Sequence, residues 1–232
     1  MRPASLPARS GRSGLEIGDA HELETLLARV SSGGFLRGVD GLPAVECDPV
    51  RAPIGDVTLH LQHRSFFQTN TDVAAALYRQ ARAWADDVDA RQVLDLYCGV
   101  GGFALHLADG TRRVHGVEIE PSAIDSARRS AADAGLEASV TFGVGDASTL
   151  VMPEHDVPDL VVVNPPRRGI GPDLCGAIEA ARPDHVIYSS CNAASLAGDL
   201  AALPGYTVRQ ARVFDMFPQT RHHEVLVLLE RA

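Results

Sequence analysis

From Gln92 onward short apolar runs alternate with helical patterns, and this alternation constrains the fold more than any other feature of the chain. The spacing predicts strands over Gln92–Tyr97, Val114–Ile119, Ser139–Gly143, Asp159–Asn164 and His185–Ser189. Helices are predicted from Phe103 and over Ser122–Ala134, Asp173–Ala181 and Ala193–Leu203. Such βαβ alternation builds a mostly parallel sheet with helices on both faces, an α/β fold. The last two strands, Tyr206–Phe214 and Glu224–Glu230, are joined without a helix and should lie side by side as an antiparallel edge. Ligands of open α/β sheets bind beyond the carboxyl ends of the strands, so the chemistry is to be sought there.

Upstream the signal is weaker. Asn70 or Thr71 caps a helix running through Ala74, Leu77, Tyr78 and Ala81 to about Trp84. Residues 1–14, rich in Arg, Ser, Pro and Gly, read as a disordered tail. Residues 15–64 read as a small appendage: a short amphipathic helix over Asp19–Val30, then β-like pieces from Gly33 to Leu61. The main domain is then 65–232. No apolar run is long enough to span a membrane, and the N-terminal arginines are not followed by the apolar segment of a secretory signal, so a cytoplasmic location is expected. A monomer is expected as well. The cysteines, Cys47, Cys98, Cys175 and Cys191, form no Cys-x-x-Cys pair, so neither a metal site nor an iron-sulfur cluster is expected from their spacing. A net charge of −9 argues against holding nucleic acid by bulk electrostatics and leaves room only for a local basic patch.

Three strand ends carry residues suited to chemistry. Asp95-Leu96-Tyr97-Cys98-Gly99-Val100-Gly101-Gly102 turns from strand to helix, and its glycines let backbone N–H groups approach a ligand. Glu118, twenty-one residues after Tyr97, ends the next strand, where an acid hydrogen-bonds the ribose hydroxyls of a nucleoside. The loop lacks the last glycine of dinucleotide binders, which with the antiparallel edge favours S-adenosylmethionine over NAD. Asn164-Pro165-Pro166-Arg167-Arg168-Gly169 forms a rigid turn after the fourth strand, with an arginine pair suited to phosphate or nucleobase contact. Cys191 ends the fifth strand beside the start of a helix, whose partial positive charge favours an anion there. Taken alone, Cys191 reads more readily as a small buried hydrophobe, as free cysteines usually are.

Together Phe66-Phe67-Gln68-Thr69-Asn70, Asp95-Leu96-Tyr97-Cys98-Gly99, Asn164-Pro165-Pro166-Arg167, Ser189-Ser190-Cys191-Asn192 and Phe214-Asp215-Met216-Phe217-Pro218-x-Thr220-x-His222-x-Glu224 resemble the RNA uracil-C5 methyltransferase family. The wording Asn-Pro-Pro-Arg-Arg-Gly-Ile-Gly and Phe-Asp-Met-Phe-Pro is most similar to the branch that acts on a 23S rRNA uridine. The resemblance implies a Rossmann-like class I S-adenosylmethionine-dependent fold and methylation of uracil C5. It matches Gln68, Tyr97, Gly99, Gly102, Glu118 and Asn164 to cofactor contacts, with Asp146 as an adenine neighbour. It matches Cys191 to a nucleophile that adds to uracil C6 and Glu224 to a base, and sets Arg167 and Phe67 toward RNA. It assigns no role to His222 or His223.

Relatives carry a longer β-rich N-terminal region and often a cysteine set for an iron-sulfur cluster. Here only about sixty-four residues precede Ser65, and Cys47 is the sole cysteine among them. Two other readings stay open at this stage: a non-catalytic relative that binds S-adenosylmethionine or RNA, and an amino-group methyltransferase using Asn-Pro-Pro. The second lacks the stacking aromatic, since Arg167 stands in its place.

Overall fold

A computed structural model describes residues 50–62, 70–149, 157–216, 220 and 223–232. The expected tail, the helix over Asp19–Val30, and Phe67, Gln68 and His222 lie outside these residues. Two strands, β1 (Val50–Ile54) and β2 (Val57–Leu61), pair as an antiparallel hairpin. The chain then runs α1 (Thr71–Asp87), β3 (Gln92–Leu96), α2 (Gly102–Leu107), β4 (Arg113–Glu118), α3 (Pro121–Asp133) and β5 (Val140–Val144). After a short 3₁₀ turn at Ala147–Thr149 come β6 (Leu160–Val163), α4 (Gly171–Ala181), β7 (His185–Ser190), α5 (Ala193–Ala201), β8 (Tyr206–Phe214) and β9 (Glu224–Arg231).

Strands β3 to β9 form one sheet in the order β5-β4-β3-β6-β7-β9-β8, parallel except that β9 is antiparallel to both of its neighbours. The α/β fold and the antiparallel pair match the sequence reading. The position of β9, between β7 and β8, is the added detail. Its cause is visible in the residues: Val225-Leu226-Val227-Leu228-Leu229 is apolar on both faces and needs cover on both, as an inner strand has. β8 alternates poorly, carries Arg209, Gln210 and Arg212, and is bulged between Val208 and Gln210, devices that suit an exposed edge.

Alternation sorts the sheet into two cores. Val93, Val114, Leu160, Val162, Ile187, Leu226 and Leu228 meet α1, α2, α3 and the hairpin. Leu96, Val117, Val161, Val163, Val186, Tyr188, Val227 and Leu229 meet α4 and α5. All four residues of β6 are buried, each contributing about 1.5–3 kcal/mol of apolar burial. The hairpin shares the first core through the fully buried Ile54 and Leu59. Two histidines join it to the rest: His60 Nε2 lies 2.6 Å from Asp133 Oδ2 of α3, and the buried His106 ring spans Gly102 O (2.7 Å) and Ile54 O (2.8 Å). Asn70 caps α1 by accepting the Val73 N–H and donates from Nδ2 to Met216 O at 3.0 Å, which brings the chain before α1 against the chain after β8. Among the described residues no helix is long and apolar enough to cross a membrane.

Candidate active site at the carboxyl edge of the sheet

The parallel register places the ends of β3, β4, β6 and β7 on one edge, so Tyr97, Glu118, Asn164 and Cys191 share that edge although they are far apart in sequence. Tyr97 leaves β3 with φ +59°, a left-handed conformation uncommon for a tyrosine, which turns the chain sharply into the glycine loop. Its phenol is half-buried and its pKa is raised by burial, offset partly by the positive charge of Arg168. Gly102 opens α2, where a Cβ would stand 2.7 Å from Tyr78 Cζ, so only glycine lets α1 and α2 approach this closely. Gly99 donates its N–H to Glu118 Oε2 at 3.2 Å, while Glu118 Oε1 accepts from Glu120 N at 3.1 Å. The acid is thus oriented by backbone on both oxygens and faces the loop.

Behind the loop Asp95 is fully buried. Its Oδ2 accepts the Ala104 N–H at 2.9 Å, and its Oδ1 has no partner among the described residues. Burial pushes its pKa up to about 8, the Ala104 hydrogen bond pulls it down and the charge of Glu118 adds to the rise. A carboxyl whose folded pKa lies above its unfolded value favours folding while protonated, and that contribution is lost as pH rises from about 4 toward about 8. Asp95→Asn, which keeps an acceptor for Ala104, should therefore gain stability over the wild type between pH 5 and 8, by up to about 1.4 kcal/mol per pH unit. Denaturant melts across that range check it, and parallel stability curves for the two proteins would contradict it.

Two large apolar side chains are exposed at the adjoining strand ends, Ile119 at 63% and Val144 at 54%. The sequence reading missed both, because an apolar residue at a strand end looks like more strand. Asp146, just past β5, is exposed, and its Oδ1 accepts from Ser148 N (2.9 Å) and Ser148 Oγ (2.7 Å). These bonds, with the charge of Arg168, hold its carboxyl below the usual range. Asn164 is half-buried at the end of β6, held by its backbone N–H to Leu96 O at 3.4 Å. Arg167 and Arg168 are exposed on the turn that follows, and the Gly169 N–H closes that turn on Pro166 O at 2.9 Å.

On the other side of β6, Cys191 follows β7 directly and is half-buried. Asn192 then caps α5, its side chain accepting the Ala194 N–H at 3.1 Å. β9 runs antiparallel to β7 with Ser190 opposite Val225 and Ser189 opposite Leu226. Glu224 opens β9 one residue before Val225, as Cys191 follows β7 one residue after Ser190. Ser189 Oγ donates to Glu224 Oε1 at 2.6 Å, which holds the carboxylate beside the end of β7. Glu224 is buried, and that burial raises its pKa against the opposing effects of the Ser189 hydrogen bond and the charge of His223.

A second carboxylate the sequence reading missed lies in α5. Asp199 Oδ2 accepts from Tyr188 Oη (2.6 Å) and Ile170 N (2.9 Å), and Oδ1 accepts from Gly171 N (3.2 Å). Burial first, and then Asp199, raise the Tyr188 pKa, so the phenol keeps its proton and donates it in this bond. The same carboxylate occupies the space where a Cβ on Gly169 (φ +85°) would stand. Gly169→Ala should thus lose about 2–4 kcal/mol from left-handed strain and overpacking together, measured by denaturant unfolding.

Comparison with known proteins follows the same outline. A family model described as "Methyltransferase domain" matches residues 93–166, and one described as "tRNA (Uracil-5-)-methyltransferase" matches residues 152–232. The 23S rRNA (uracil(747)-C(5))-methyltransferase RlmC of Pectobacterium atrosepticum is 49% identical over 176 residues, covering 76% of this chain and 47% of that protein. The chain belongs to the RNA uracil-C5 methyltransferase family. The RlmC of Pectobacterium carotovorum agrees, at 42% identity over 212 residues, 90% of this chain and 56% of that one. The chain spans about half the length of these curated relatives. Among solved structures, the Pyrococcus abyssi tRNA (uracil-54, C5)-methyltransferase in complex with S-adenosyl-L-homocysteine superimposes with a TM-score of 0.71 at 31% identity, over 79% of this chain and 44% of that one. The family suggested by the sequence motifs and the family found by comparison are the same. Tyr97, Asn164 and Cys191, from the motifs that carry the resemblance in the sequence, fall on the single edge described above.

Proposed function

We propose that this chain, through residues 65–232, transfers a methyl group from S-adenosylmethionine to C5 of a uridine in RNA, the 23S rRNA by its likeness to the RlmC proteins. The observation that carries the reading is the buried Glu224 carboxyl held by Ser189 of β7, two residues before Cys191 at the end of that strand, on the edge that also holds the glycine loop and Glu118. A thiol and a buried carboxyl of raised pKa at the same strand end are what uracil C5 chemistry requires and what an amino-group methyltransferase has no use for.

The residues present fit the cofactor. The Glu118 carboxylate held toward the loop and the exposed Ile119 and Val144 together offer a polar partner for a ribose and an apolar wall for a base. Tyr97, Gly99, Gly102, Asn164 and Asp146, with Gln68 from the sequence motif, complete the set of expected contacts. When bound, S-adenosylmethionine supplies an electrophilic methyl group.

The chain's own residues do the remainder. The Cys191 thiolate adds to C6 of the uracil, which turns the unreactive C5 into an enolate carbon able to accept a methyl group. Glu224 then takes the C5 proton, and elimination returns the thiolate and the 5-methyluracil. Its raised pKa suits a base that must accept that proton near neutrality. Arg167 and Arg168, exposed on their turn, are available to RNA phosphate or base, a role the sequence motif also gives to Phe67, and a uridine within folded RNA has first to be turned out of its stack. The test is to incubate the chain with labelled S-adenosylmethionine and 23S rRNA and to identify the modified nucleoside by mass spectrometry. 5-Methyluridine supports the reading; a methylated amino group, or cofactor binding with no methylated product, would overturn it.

A further inference from the structure

Both ends of the turn that carries Arg167 and Arg168 are tied to the stretch of chain around Cys191. At one end the Asn192 side chain donates from Nδ2 to Arg167 O at 2.9 Å. At the other, the Ile170 and Gly171 N–H groups donate to the Asp199 carboxylate, which also holds the Tyr188 hydroxyl three residues before the thiol. Pro165 and Pro166 restrict the turn's entry and the Gly169 N–H closes it on Pro166 O, so the backbone that carries the arginine pair is held to α5 by these bonds. The charge of Arg168 acts on Tyr97 and Asp146, so the same turn also faces the cofactor side of the edge.

Asp199 does not serve the helix it sits in. It lies in the last turn of α5, where a negative charge opposes the helix dipole, and its three side-chain partners all lie outside that helix. A buried acid is costly to desolvate, and three charge-assisted hydrogen bonds offset that cost only in this one arrangement of loop, strand and helix.

We propose that Asp199 is a positioning residue, whose carboxylate locks the Arg167–Arg168 turn against the Cys191 strand end so that a uracil bound through the turn meets the thiol in a fixed geometry. This rests on the function proposed above. Asp199→Asn is the direct probe: an amide has a single acceptor oxygen, and its NH₂ would face the backbone donors.

The experiment follows covalent protein–RNA adduct formation in a Glu224→Gln background, with and without Asp199→Asn, at saturating 23S rRNA fragment and S-adenosylmethionine. Rates are normalised to the number of S-adenosylhomocysteine-binding molecules. The positioning role predicts a rate about 10- to 100-fold lower, with S-adenosylhomocysteine affinity retained and the shape of the pH profile unchanged. A residue that only stabilised the fold would reduce the number of binding-competent molecules and leave the rate of each one intact. Tyr188→Phe, which removes one donor and leaves the carboxylate in place, provides a milder second variant, expected to slow the step in the same direction. Equal normalised rates in parent and variants overturn the positioning role alone. No adduct in the Glu224→Gln parent overturns the proposed function itself, and the positioning role with it.

Discussion

Cys191→Ala is expected to lower 5-methyluridine formation by at least about 10⁴-fold while leaving S-adenosylhomocysteine binding unchanged. Without a thiolate at C6 the C5 carbon has no means of becoming nucleophilic, so no other residue on the edge can substitute. Cofactor binding is spared because the glycine loop, Glu118 and Asn164 lie at the ends of β3, β4 and β6, not of β7. The other two described cysteines cannot stand in: Cys98 and Cys175 are buried, and burial raises both thiol pKa values. Calorimetric titration with S-adenosylhomocysteine beside a methyl-transfer assay separates the two effects. Loss of both together would place Cys191 in the fold's support and remove it from the chemistry.

Glu224→Gln should reduce turnover by about 10²- to 10⁴-fold, and by a different route. Addition to C6 needs no base at Glu224, so the first steps proceed and the product is retained on the thiol. In the wild type, the same carboxyl must be ionised to work. Since burial raises its pKa, activity should fall on the acid side at a higher pH than an ordinary glutamate would impose. Ser189→Ala removes a hydrogen bond that stabilises the ionised form, so it should move that acid limb higher still. A pH–rate profile of wild type and Ser189→Ala measures this.

The sheet was legible because buried strands announce themselves. Leu160-Val161-Val162-Val163 and His185-Val186-Ile187-Tyr188 have no polar interruption to hide their period, and helices fill the intervals between them. The site was legible in part, as strand ends: Tyr97, Glu118, Asn164 and Cys191 follow from where the apolar runs stop. Their convergence is a property of register, and register is not written in local sequence. That Glu224 meets Ser189 at the end of β7 depends on β9 pairing with β7, and it became visible only once β9 was seen to lie inside β8. A closer reading of Val225-Leu226-Val227-Leu228-Leu229 as a strand covered on both faces would have suggested it.

Asp199 left no such trace. An acid in the last turn of a short helix looks like a solvated residue, and Tyr188 in an apolar strand looks like core. Only the three-dimensional meeting of Tyr188, Ile170 and Gly171 on one carboxylate gives it a purpose. Asp95 was quoted as the first letter of a loop motif, but its complete burial, with an Oδ1 that has no partner among the described residues, depends on α2 folding back over β3.

The most direct test of the thiol-addition account is to incubate Glu224→Gln with S-adenosylmethionine and a 23S rRNA fragment, denature the mixture, and map any protein–RNA species by mass spectrometry. The account predicts a denaturation-resistant adduct in which the Cys191 peptide carries a methylated uridine, and its disappearance in the Cys191→Ala/Glu224→Gln double variant. An adduct that persists without Cys191, or 5-methyluridine produced by Cys191→Ala at the wild-type rate, would contradict it.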